Sequence, residues 1–139
     1  MKKILVLGCK GMAGHVIKTY LENIGNYDVW GLARGIKSEN KLINLDISDT
    51  AELQPILKRE SFDIVINCIG LLNSAAEKNP EKAIWLNSYL PHLLALRGEI
   101  YNFKLIHIST DCVFSGVEGG YKENHFKNGI GFYAQTKGL

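Results

Sequence analysis

The residues Lys2-Lys-Ile-Leu-Val-Leu-Gly-Cys-Lys-Gly-Met-Ala-Gly14 decide how the rest of the chain is read. Lys2 to Leu7 reads as a short apolar strand, and a turn with glycines at 8, 11 and 14 follows it directly. Beyond the turn, Met12, Ala13, Val16, Ile17, Tyr20, Leu21 and Ile24 recur at helical spacing, which predicts an amphipathic helix with that stripe buried. Strand, glycine turn, helix is the setting in which such a turn has meaning. Glycine lets the backbone bend sharply and approach a pyrophosphate, whose charge then faces the unpaired N–H groups and positive dipole end of the helix. The spacing here is G-x-x-G-x-x-G, with Lys10 at the middle glycine of the commoner G-x-G-x-x-G. By itself the turn is also compatible with plain helix-on-strand packing.

Residues 26–32 read as the second strand, ending in Ala33-Arg34. No Asp or Glu stands there to take the adenosine ribose hydroxyls, and an arginine accommodates a 2′-phosphate, so NADP(H) is expected ahead of NAD(H). The plainer reading of Arg34 is a solvated cation, because residues 35–41 form a polar loop. Residues 42–45 are a third strand closed by Asp46. Asp49 and Glu52 mark a helix start, with Leu53, Ile56 and Leu57 as its buried stripe. Pro55 predicts that this helix begins late or bends. Residues 63–66 are a fourth strand, leaving through Asn67-Cys-Ile-Gly70, small enough for a ligand to pass close to the backbone. Residues 71–79 read as a loop or short turn. Asn79-Pro80 then caps and opens a helix running to about residue 99, kinked at Pro91. Asn87 lies within its apolar stripe of Ala83, Leu90 and Leu94, either as a satisfied core amide or as a site residue. The alternation of strand and helix predicts a parallel sheet covered on both faces, in the order 3-2-1-4-5.

After an apolar alternating segment read as a buried fifth strand, Ile108-Ser-Thr-Asp-Cys-Val-Phe-Ser-Gly116 delivers hydroxyls and a carboxylate at the strand end. Ligands of open parallel sheets collect there. Residues 115–131 form the one long loop, a candidate mobile lid. Tyr133-Ala-Gln-Thr-Lys137 follows, and helical winding would put the phenol and the ammonium on one face. A phenol, with an unperturbed pKa of about 10, is a slow proton donor at neutral pH, and a nearby ammonium favours its ionised form. A hydroxyl such as that of Thr110 can hold the same substrate oxygen. The three groups suit proton movement at a carbonyl or alcohol oxygen while hydride moves at its carbon. A lone Tyr-x-x-x-Lys is usually a packing tyrosine beside a surface lysine; the glycine turn and the hydroxyl-rich strand end favour chemistry here.

Composition narrows the partners. The 139 residues suggest one domain, with 46% hydrophobic and 22% charged content typical of a globular protein. A net charge of +2, with no block of like charges, gives no footprint for nucleic acid or an anionic membrane. The apolar run after Lys2-Lys3 breaks at Gly8, too short for a secretory signal, and nothing approaches a membrane span. Cys9, Cys68 and Cys112 are scattered without metal or disulfide spacing, so a cytoplasmic protein with reduced thiols and no metal is expected.

In their order, these motifs resemble the N-terminal, nucleotide-binding part of extended short-chain dehydrogenases/reductases, and most of all the dTDP-4-dehydrorhamnose reductase branch. The residues that carry the resemblance are Gly8, Gly11 and Gly14, Asp46, Asn67 to Gly70, Asn87, Ser109 to Gly116, Tyr133 and Lys137. The fold implied is a Rossmann-type, doubly wound α/β domain over residues 1–139, ending before the family's substrate domain. Tyr133 would be the proton donor and Thr110 its hydroxyl partner, with Lys137 tuning the phenol and binding the nicotinamide ribose. Gly8, Gly11, Met12 and Gly14 would meet the pyrophosphate, Asp46 and Ile47 the adenine, and Cys68, Ile69 and Gly70 the middle of the cofactor. Asn87 would complete the cofactor site, and Asp111, Val113 and Phe114 would lie near the sugar. Cys112 stands where the branch commonly has tyrosine, and Ala134 where glycine often follows the catalytic tyrosine, which loosens the substrate assignment.

The implied activity is NADP(H)-dependent reduction of a 4-keto nucleotide sugar, in the making of deoxysugars for surface polysaccharide. Members of the family run on for roughly as many residues again, so these 139 are expected to bind nucleotide and turn over little or no substrate. The alternatives are an NAD-dependent nucleotide-sugar epimerase or dehydratase, and a regulatory module that binds NADP(H) without chemistry. Pairing into a homodimer through helices of this domain is left open.

Overall fold

A computed structural model describes residues 1–139. In chain order the elements are β1 (Lys2–Leu7), α1 (Met12–Ile24), β2 (Tyr27–Ala33), β3 (Leu42–Asn44), α2 (Thr50–Glu60) and β4 (Ile64–Asn67). Then come α3 (Asn73–Lys78), α4 (Pro80–Ala83), a π-helical stretch (Ile84–Tyr89) and α5 (Leu90–Tyr101). The chain closes with β5 (Lys104–His107), a 3-10 turn (Asp111–Val113) and α6 (Phe132–Gly138). No helix is long and apolar enough to cross a membrane. The chain forms two compact units: residues 1–69 with 94–108, and residues 70–93 with 109–139.

The first unit contains the whole sheet. Its order is β3-β2-β1-β4-β5 with every neighbouring pair parallel, the arrangement read from the sequence. The register aligns Leu7 with both Leu32 and Asn67, so the carboxyl ends of β1, β2 and β4 finish level. The central strands bury Leu5, Leu7, Leu32 and Val65 completely, each such leucine contributing about 1.5–3 kcal/mol. At the opposite end of the sheet, the Lys3 ammonium lies 4.3 Å from the Trp30 ring centroid and 2.7 Å from the Glu60 carboxylate. The cation thus ties β1 to β2 and to α2.

Several sequence expectations need correction here. The α1 stripe splits into two rows: Ala13, Ile17 and Leu21 turn inward, whereas Met12, Val16 and Tyr20 are 85%, 62% and 66% exposed. Helical periodicity identifies both rows as apolar but cannot say which one meets the sheet. Helix α2 starts at Thr50, where Asp49 accepts from Glu52 N at 3.1 Å, and carries Pro55 in its interior. That proline forgoes one ladder hydrogen bond without delaying the start of the helix. Strand β5 is an edge strand, and Ile106 and Ile108 remain 39% and 38% exposed.

In the second unit, the segment read as a loop contains α3. Asn79 closes that helix, its side-chain amide donating to Ala75 O at 3.1 Å, and does not cap α4 with its side chain. Pro80 does open α4, as expected. The expected disturbance near Pro91 takes the form of the π stretch, in which Leu90 N–H reaches back five residues to Trp85 O. Pro91 has no N–H to give, so the regular ladder could not have continued through it unbroken. Residues 114–129 are braced across their neck rather than loose: Ser115 N donates to Asn128 Oδ1 at 2.9 Å and Gly129 N to Val113 O at 2.8 Å. Phe114 and Tyr121 stack at 4.6 Å, and the Tyr121 hydroxyl meets Ser115 Oγ at 3.1 Å and accepts from Glu118 N at 3.2 Å.

Candidate active site

In the first unit, β1 delivers the glycine turn. Gly8 adopts φ +77°, in the left-handed region, and a side chain on it would come within 2.9 Å of Ile69 Cγ1. Gly8 N and Cys9 N both donate to Leu32 O, at 2.8 and 3.2 Å, and Gly11 N donates to Gly8 O at 2.9 Å. These bonds fix the loop and leave the N–H groups opening α1 directed away from any side-chain cap. Gly14 is the tightest position. A Cβ there would run into Gly8 O and approach Gly8 C at 2.7 Å and Cys9 Cα at 3.1 Å. The first turn of α1 therefore lies directly on the glycine turn, with no acidic residue to oppose an anion. Met12 is exposed beside it.

Arg34 follows β2, its guanidinium 3.6 Å from the Asp46 carboxylate, and both are exposed. Asp46 Oδ1 also accepts from Ser48 N at 3.0 Å and Ser48 Oγ at 2.7 Å, which orders the turn after β3. Ile47 is buried in the core, so only its backbone is left to meet a ligand. The Lys10 ammonium, to which the sequence assigns no role, lies 3.4 Å from the carbonyl of Gly35, the neighbour of Arg34. Lys10 is thus brought beside the segment that follows β2 and carries Arg34. Asn67, fully buried, accepts from Ile69 N at 3.0 Å and contacts His107 Nδ1 at 3.2 Å, holding the exit of β4. Cys68 and Ile69 are half-buried there. Burial pushes the Cys68 thiol up to about 11, so at neutral pH it is a neutral wall and not a nucleophile.

In the second unit, Thr110 caps the 3-10 turn by accepting from Cys112 N at 3.2 Å. Its own proton is directed to Asp111 Oδ1 at 3.5 Å, a long contact that a closer oxygen would replace. Asp111 and Cys112 are exposed, Val113 is buried, and Phe114 is held by its stack on Tyr121.

Tyr133 and Lys137 stand one turn apart on α6, both half-buried. A seven-residue helix is marginal alone, and neighbours secure this one. Thr136, between the pair and buried, accepts from Asn87 Nδ2 at 3.0 Å, and its carbonyl accepts from Ser88 Oγ at 2.6 Å. Lys127 Nζ donates to Gly138 O at 2.8 Å at the other end. Burial pushes the Lys137 ammonium below its ordinary value.

Asn87 spends its amide on Leu71 N at 2.8 Å, Leu71 O at 2.9 Å and Thr136, while Gly70 passes within 3.4 Å of its Oδ1, measured from the place of a Cβ. Ala134 is buried against Gly129, where any side chain would meet the Ala134 methyl at 2.8 Å and the Cys112 carbonyl. The alanine after Tyr133 is therefore matched by a glycine on the facing strand of loop.

Comparison with known proteins gives the family. The chain is 31% identical over 135 residues to a probable low-salt glycan biosynthesis reductase of Haloferax volcanii, covering 95% of this chain and 45% of that protein. It is likewise 31% identical over 135 residues to the dTDP-4-dehydrorhamnose reductase of Streptomyces griseus, covering 96% and 41%. Among solved structures, the dTDP-4-dehydrorhamnose reductase of Bacillus anthracis in complex with NADP matches at TM-score 0.84 and 27% identity, covering 99% of this chain and 47% of that one. The chain thus spans less than half the length of these relatives. The family model described as RmlD substrate binding domain matches residues 1–139, and the chain belongs to that family.

Proposed function

We propose that this protein takes part in NADP(H)-dependent reduction of the keto group of a nucleotide sugar. The observation that carries the reading is the wound helix α6, which sets Tyr133 and Lys137 on one face, in a chain of this family. The first unit fits a dinucleotide: its glycine cradle admits no Cβ at Gly14, and Lys10 and Arg34 supply positive charge for a 2′-phosphate. NADP(H), when bound, supplies or accepts hydride at the carbon of the substrate.

The chain's own residues do the rest. The Thr110 hydroxyl donates to the substrate oxygen, orienting the carbonyl. As hydride arrives at carbon, the Tyr133 phenol gives its proton to that oxygen, which becomes the alcohol. The resulting phenolate is stabilised by the Lys137 ammonium and regains a proton from solvent. Asp111 and Phe114 contact the sugar, and Val113 supports them from the core. The expected place of Asn87 in the cofactor site is refined to an indirect part, through Leu71 and Thr136.

The test is NADPH oxidation at 340 nm with dTDP-4-dehydrorhamnose as probe, with these residues in their full-length context, alongside the Tyr133→Phe variant. Loss of ketone-dependent oxidation in the variant, with NADPH binding kept, supports the reading. Equal rates in both proteins would overturn it.

A further inference from the structure

Helix α6 has no side-chain cap of its own at Gly131 and no acidic residue in its first turn. Its opening N–H, that of Phe132, instead donates to Glu77 Oε1 at 2.6 Å, a contact across 55 residues of sequence. Glu77 belongs to α3, which packs on α6 within the same unit. Gly131 sits at φ +90°, and a Cβ on it would come within 3.2 Å of the same carboxylate oxygen. The backbone before Tyr133 is therefore shaped to let this one carboxylate in. Phe132 is the immediate neighbour of Tyr133, so the bond fixes the backbone from which the phenol projects. Thr136, gripped by Asn87 and Ser88 one turn later, donates from its hydroxyl to Phe132 O at 2.9 Å and Tyr133 O at 3.0 Å, but these contacts hold carbonyls and leave the Phe132 N–H to Glu77.

We infer that Glu77 is a positioning residue for Tyr133: its carboxylate anchors the first turn of α6 and so sets where the phenol is presented. The inference rests on the proposed reductase reading for its catalytic consequence, though not for the anchor itself. A carboxylate bonded to a backbone N–H is a charge-assisted contact, stronger than a neutral one, and its negative charge also suits a helix N-terminus. A glutamine at 77 keeps an acceptor oxygen and gives up only the charge. An alanine removes both and leaves the Phe132 N–H without its acceptor.

The experiment compares the unaltered protein with E77Q and E77A by amide hydrogen exchange, thermal unfolding and, with these residues in their full-length context, turnover of dTDP-4-dehydrorhamnose with NADPH. The Phe132 amide is expected to exchange about tenfold faster in E77A and within about threefold of the unaltered rate in E77Q. Turnover per folded molecule should fall about tenfold in E77A and recover in E77Q, with KM for NADPH within about twofold throughout. A merely structural glutamate would instead lower the folded fraction and leave turnover per folded molecule unchanged. An unchanged Phe132 exchange rate in E77A overturns the anchor, and equal losses of turnover in E77A and E77Q overturn the positioning role. If the unaltered protein fails to turn over the probe even with these residues in their full-length context, the reductase reading is what fails, and amide exchange alone then decides on the anchor.

Discussion

Replacing Gly14 with alanine sets two physical effects against each other. In the interior of an isolated helix, Gly to Ala stabilises by roughly 1 kcal/mol through propensity. Here the added Cβ would meet Gly8 O, with Gly8 C at 2.7 Å and Cys9 Cα at 3.1 Å. All three obstacles are backbone, so none can rotate aside, and α1 must lift off the glycine turn instead. Overpacking of this kind costs about 1–3 kcal/mol. The clash should win by up to about 2 kcal/mol, lowering Tm by up to roughly 8 °C in a chain of this length. Lifting the helix also withdraws its opening N–H groups from the pyrophosphate, so NADPH affinity should fall at least about tenfold. Gly11→Ala is the control. Gly11 has φ −75° and ψ 168°, open to any residue, and a Cβ there lies 3.3 Å from Gly8 O. Its stability should change by less than about 1 kcal/mol. Differential scanning calorimetry and NADPH fluorescence titration read both quantities. A higher Tm in Gly14→Ala, with NADPH affinity within about twofold of the unaltered chain, would refute the cradle.

Other outcomes follow from the same geometry. Removing both cations in a Lys10→Ala, Arg34→Ala double variant should cost NADPH about tenfold or more in affinity and NADH little, as isothermal titration with the two nucleotides would show; equal losses for both would remove the 2′-phosphate assignment. Cys112 is exposed, whereas burial raises the Cys9 and Cys68 thiols, the latter to about 11. At about pH 8 a disulfide reagent should therefore label Cys112 first, with Cys68 slower by about a hundredfold, and mass-mapped labelling that finds Cys68 modified first contradicts the burial. The Lys3 and Arg59 side chains hold the Glu60 carboxyl below its ordinary 4.5, and Lys41 and Trp30 hold Asp28 below 3.8. The folded form binds protons less readily than the unfolded one, so this stability is present above those ordinary values and is lost as pH falls through the lower folded ones. Urea midpoints should drop between about pH 5 and about pH 2, less steeply in Glu60→Gln; identical slopes would remove the Lys3–Glu60 contribution.

Strand order, the start of α1 and the placement of Tyr133 and Lys137 on one helix face were legible in the sequence because each rests on local patterning. The unbroken apolar run from Ile4 to Leu7 in β1, the glycine spacing and the four-residue step are all short-range signals. What escaped is what depends on distant partners. Met12, Val16 and Tyr20 look as buried as Ala13, Ile17 and Leu21 until the sheet selects one row. The π stretch has no residue signature of its own beyond the nearby Pro91, since its cause is a five-residue hydrogen-bond step. Lys10 stands out in the sequence only as a missing glycine, because its nearness to Gly35 is made by the ends of β1 and β2 coming level. Glu77 lies in a segment that reads as loop, and nothing in that segment points to Phe132, 55 residues away.

The central claim is that Tyr133 completes a hydride transfer drawn from NADPH. The most direct measurement is single-turnover transfer of deuterium from [4-²H]NADPH to dTDP-4-dehydrorhamnose, read by mass spectrometry of the sugar nucleotide. With these residues in their full-length context, deuterium is expected at the former carbonyl carbon with the unaltered protein and almost none with Tyr133→Phe. Tight NADPH binding with no label in the sugar from either protein would contradict the claim, and would mark the chain as a nucleotide-binding module without this chemistry.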